Sequence, residues 1–123
     1  AAEQLARSGV NVSVVNARFV KPLDAELILS TARESSLIVT VEEAYLAGGF
    51  GSAVMELLEE NGLQDKVKVV RMGVPDEIVS HGDPNRLLGD YGLDADGIYK
   101  RVLGSLDALN EERNGGRKMR AVK

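Results

Sequence analysis

The apolar positions of this chain change period several times, and each change marks an element. Ala1 and Leu5 stand four apart, the spacing of a helix face, and Gly9 follows where a C-terminal glycine stop belongs. Val10–Val15 (VNVSVV) is a β-branched run with the composition of a buried strand. Asn16–Asp24 reads as a loop, because Pro22 breaks regular structure and restricts Lys21 to extended geometry. Asp24 can cap a helix whose apolar stripe is Leu27, Ile28 and Thr31 and which fades near Ser35. Leu37–Glu43 (LIVTVEE) predicts another strand. Ser52–Asn61 predicts a helix with Val54, Leu57 and Leu58 inward and Gly62 as its stop. Lys66–Met72 predicts a third strand, and short elements follow after Pro75 and around Asn85–Leu88. Asp94 opens a last long helix with Ile98, Val102, Leu103, Leu106 and Leu109 at helical spacing, and Tyr91 and Leu93 anchor its start.

Strands alternating with helices at this spacing predict a three-layer α/β/α fold with a mainly parallel sheet. A sheet covered on both faces buries both sets of side chains. Val12, Val14, Ile38, Val39, Val41, Val54, Leu57, Val67 and Val69 are therefore expected largely inside. The leading helix has neither an N-cap nor a strand before it, and no methionine opens the chain. A missing first strand is the simplest repair, so the chain reads as a piece of a longer protein.

Composition narrows the classes. With 123 residues, 44% of them hydrophobic, the chain suits one domain with a real core. No apolar run approaches the ~20 residues of a membrane span, and the start lacks the apolar region of a signal peptide. The absence of cysteine excludes disulfides and thiolate chemistry and fits a cytoplasmic protein. The net charge of −4 is unevenly spread: residues 113–123 carry five basic groups and no acid, which leaves nineteen acidic and ten basic groups in residues 1–112. So acidic a body argues against nucleic acid as a partner. Residues 1–112 are expected to form one α/β domain, and residues 113–123 a basic, disordered tail.

The chemistry on offer gathers at the carboxyl ends of the strands, the edge where open α/β sheets meet ligands or partners. Glu42 and Glu43 end one strand, and Gly48, Gly49 and Gly51 follow before a helix. A dinucleotide fingerprint would need a third small residue where Val54 stands, and a P-loop would need a lysine after the glycines. A structural turn, using glycine for positive φ and close approach, is the better reading. Adjacent strand residues point to opposite faces, so the two glutamates cannot easily share a proton; one can face an adjoining domain while the other is solvated or caps the next helix. His81, the only histidine, has neither a nucleophile elbow nor a second histidine to work with. Arg18 and Lys21 lie at the same edge and can bind an anion or pair with carboxylates across an interface.

Four blocks in order carry a resemblance: NARFVKPLD (Asn16–Asp24), VTVEEAYLAGGFGSAVMELL (Val39–Leu58), MGVPDEIVSHG (Met72–Gly82) and YGLDADGI (Tyr91–Ile98). Together, over residues 1–109, they resemble the C-terminal domain of the 1-deoxy-D-xylulose-5-phosphate synthase family, within the transketolase-like thiamin diphosphate enzymes. The resemblance implies an enzyme that condenses pyruvate with glyceraldehyde 3-phosphate for isoprenoid, thiamin and pyridoxal synthesis. It implies thiamin diphosphate and Mg²⁺ held by two preceding domains, and a homodimer. The family's Gly-Asp-Gly…Asn metal motif is absent from this sequence, so the resemblance assigns no catalytic, cofactor or metal residue here. It makes Arg18, Lys21, Glu42, Glu43 and His81 candidate contacts with the other domains or a second subunit. It also implies a first strand that this chain lacks. Two alternatives remain open. One is the C-terminal domain of a pyruvate dehydrogenase β-type or transketolase protein. The other is a free-standing anion-binding regulatory module using Arg18, Lys21 and the Gly48–Gly51 loop.

Overall fold

The LIVTVEE run forms a strand, β1 (Leu37–Tyr45), and its partner is β2 (Lys68–Val74). The computed structural model describes residues 1–17, 23–75 and 88–122. The two strands run parallel, with Leu37 opposite Lys68 and Val41 opposite Met72; the register shifts before Tyr45 meets Val74. Parallel strands need a crossover, which here is α3 (Phe50–Glu60). Ahead of β1 stand α1 (Ala2–Arg7) and α2 (Ala25–Glu34), and α4 (Ala95–Val122) closes the chain. The result is a parallel sheet flanked by helices on both faces, the α/β/α arrangement that the alternating pattern predicts.

Local chemistry explains where the helices begin. Asp24 caps α2, its Oδ1 accepting the Leu27 N–H at 3.1 Å. Asp94 does the same for α4, accepting the Gly97 N–H at 2.8 Å. Leu93, buried to 7% exposure, anchors that start as the pattern predicts. The backbone of α4 continues to Val122, through the basic segment whose composition reads as a tail.

The core lies between α2, α3 and one face of the sheet. Ile28 and Ala32 meet Val54, Leu58, Leu63 and Val67, with Leu57, Ile38 and Val69 packed against them. Leu58 and Val54 are the most deeply buried, and burial of such side chains contributes about 1.5–3 kcal/mol each. On the other side α1 meets α4, where the hydroxyls of Ser8 and Tyr99 lie 2.8 Å apart. Val70 and Met72 are buried on the sheet face opposite Val69, as strand alternation requires.

Three expectations need correction. Val10–Val15 forms no strand: β1 and β2 are the only paired strands among the described residues. Consequently Val12 and Val14 are not core residues but exposed, Val14 to 76%, and Val41 is exposed as well. Among the described residues no strand pairs with this segment or with the other side of β1. A groove of about 490 Å³ runs along the unpaired side of β1, with Val10, Val12 and Val15 on one wall and Ile38–Thr40 on the other. Residues of both helical layers, Val54 and Val102, also line it. Lastly, α3 begins at Phe50, two residues before the expected Ser52.

Candidate functional site

The carboxyl end of β1 is tied to the start of α3 by one side chain. Glu42 lies on the same strand face as Ile38 and Thr40, the face toward α3, because strand positions two apart share a face. Its Oε1 accepts the Phe50 N–H at 3.1 Å and its Oε2 accepts the Gly51 N–H at 2.8 Å. A helix leaves its first N–H groups without internal partners and carries partial positive charge at that end. Here the N-cap is Gly49, which has no side chain to help. A half-buried carboxylate from eight residues upstream of Phe50 supplies both the acceptors and the charge. Glu43, on the opposite face, is exposed.

The turn between them depends on glycine at two points. Gly48 has φ +70°, a left-handed conformation that a side chain disfavours. Gly51 is close to its neighbours: a Cβ there would sit 2.6 Å from Thr40 Oγ1 and 2.8 Å from Arg71 Cγ. Thr40 is buried to 4% exposure, and its hydroxyl has no hydrogen-bond partner among the described residues. Gly49, at φ −87°, needs no special conformation.

Arg71 of β2 completes the assembly. Its Nη1 donates to Ser52 Oγ at 2.9 Å and to the Leu46 carbonyl at 3.4 Å, and Ser52 Oγ donates to that same carbonyl at 3.0 Å. The Leu46 N–H donates to the Val74 carbonyl at 3.0 Å, so the turn is fastened to both strand ends. Sequence reasoning missed Arg71. Its signal is a cation in the middle of an otherwise apolar stretch, Val69–Val74 (VVRMGV).

Chemically, this arrangement is a clamp. Both oxygens of Glu42 are engaged by backbone donors, and the α3 amides that would cradle a phosphate are filled by that carboxylate. Among the described residues no three His, Asp or Glu side chains gather for a metal ion. Of the five candidate contact residues, the structure describes Glu42 and Glu43; Arg18, Lys21 and His81 lie outside the described residues.

Comparison with known proteins agrees with this geometry. Residues 1–98 match the family described as transketolase, C-terminal domain. A 1-deoxy-D-xylulose-5-phosphate synthase of Geobacter metallireducens is 56% identical over 102 residues, covering 83% of this chain and 16% of the relative. The synthase of Heliobacterium modesticaldum is 56% identical over 108 residues, covering 88% of the chain and 16% of the relative. Among solved structures, one titled "Split gene transketolase, inactive beta4 tetramer" superposes with a TM-score of 0.76 at 36% identity, covering 86% of this chain and 34% of that one. The chain thus spans about 16% of the length of these curated relatives.

Proposed function

The chain belongs to the transketolase C-terminal domain family, and from that premise we propose that it is the C-terminal domain of a 1-deoxy-D-xylulose-5-phosphate synthase. In this reading the whole enzyme joins pyruvate to glyceraldehyde 3-phosphate with loss of carbon dioxide. Residues 1–112 serve assembly. The observation that carries the reading is the 56% identity to such synthases, confined to about 16% of their length. The split-gene transketolase, at 36% identity, supports the fold more than the substrate.

Thiamin diphosphate supplies the carbanion chemistry when bound, and Mg²⁺ holds its diphosphate. The described residues do not fit that pair. The α3 amides are occupied by Glu42, and no acidic cluster is available for the cation among the described residues. In this reading the two preceding domains of the enzyme hold the cofactor. This domain contributes a clamp at the sheet edge, and Arg18, Lys21, Glu43 and His81 are proposed contacts with those domains or with a second subunit of a homodimer. No helix among the described residues is long and apolar enough to cross a membrane.

A chimera tests this. The Geobacter metallireducens synthase is made with its own C-terminal domain replaced by this chain, beside a version with that domain deleted. The chimera is expected to form 1-deoxy-D-xylulose 5-phosphate from pyruvate and glyceraldehyde 3-phosphate, and the deletion to lose assembly. A folded, dimeric chimera without product would overturn the proposal.

A further inference from the structure

Arg71 commits only one of its nitrogens to the turn, and its side chain remains exposed. Beside it opens a second cleft, of about 420 Å³, between β2, the Leu46 turn and the start of α4. Among the described residues three cationic side chains line this cleft, Arg71, Lys100 and Arg101, and no acidic one does. In a body with nineteen acidic and ten basic groups, that is a local reversal of sign.

Among the described residues, nearby carboxylates leave most of this charge uncompensated. Asp94 faces the Gly97 N–H, and Asp96 meets Lys100 at 3.8 Å across one exposed helical turn. Neither Arg71 nor Arg101 makes an ion pair among the described residues. The remaining wall includes Gly73 and Gly92, which carry no side chain to keep a ligand off the backbone, and Gly97, which packs closely against the Gly92 backbone.

We infer that this cleft binds a small phosphate-bearing anion, held by Arg71 and Arg101 with Lys100 at its rim. Two guanidiniums, neither in an ion pair among the described residues, match the charge of about −1.5 to −2 that a phosphate monoester carries at neutral pH, where a carboxylate offers one. The guanidinium fork also fits phosphate oxygens in two-point contact. The site is separate from the α3 N-terminus, which Glu42 closes, and it does not depend on the thiamin reading above.

The test is an amide NMR titration of the 123-residue chain with inorganic phosphate, with glycerol 3-phosphate and with sodium chloride at matched ionic strength. Saturable shifts at Gly73, Gly92 and Gly97 are expected with one or both phosphates and not with chloride. Tighter binding of glycerol 3-phosphate assigns the site to a phosphate monoester; equal binding assigns it to the phosphoryl group alone. Arg101→Gln changes an exposed residue with no hydrogen bond to the rest of the fold beyond its helix, and is expected to weaken binding about tenfold or more. Shifts that do not saturate, that chloride reproduces, or that survive unchanged in Arg101→Gln and in Lys100→Gln would overturn the inference.

Discussion

Val10–Val15 and β2 look alike in sequence and end differently in the fold. The first has four valines in six residues and the second three in seven, so composition favours the first as a strand. Yet β2 pairs along its length with β1 and buries Val70 and Met72, while Val10–Val15 stays unpaired with Val14 76% exposed. The difference lies in what each segment meets. β2 is delivered to β1 by α3, whose start is held by Glu42 and whose turn is fastened by Arg71. Val10–Val15 borders a groove beside β1 without closing it. Strand propensity describes fitness for a pleated, half-buried surface, and it is realised only where that surface is supplied.

Substitutions on the two sides should separate them sharply. The largest effect is expected in the core that α3 builds. Leu58→Ala should cost about 2–5 kcal/mol in urea unfolding, and a loss no larger than that of Val14→Ala would erase the distinction. Gly51→Ala comes next. The added methyl has to displace Thr40 and the Arg71 side chain, which should cost about 1–3 kcal/mol; a neutral result would mean that the turn is looser than its geometry. Glu42→Ala should cost about 0.5–2 kcal/mol, the range of a lost helix cap, with faster amide exchange at Phe50 and Gly51 as its signature. Val14→Ala should change stability by no more than about 0.5 kcal/mol, as at an exposed site. A substantial loss there would show the segment to be packed in solution.

These contrasts also mark what could be read from the sequence. β1, α2 with its Asp24 cap, the inward face of α3 and the Leu93 anchor follow from local rules: period, capping chemistry and apolar spacing. The clamp follows only in part. That one of the two glutamates can cap the next helix is readable from the sequence; that it is Glu42, and that Arg71 reaches the same turn from another strand, depends on which elements the topology brings together. The Gly48–Gly51 stretch was half legible: positive φ and close approach are reasons for glycine, but only the fold shows that Gly48 needs the first and Gly51 the second. Val10–Val15 misleads for the converse reason, since its local signal is strong and no strand pairs with it among the described residues.

Native-state hydrogen exchange on the chain puts the central claim, that a neighbour and not composition makes the strand, to its most direct test. Amides of Val69, Val70 and Met72 should be protected about a thousandfold or more, near the limit set by global unfolding, while Asn11–Val15 should exchange close to the rate of an open chain. Equal protection of the two segments would contradict the account.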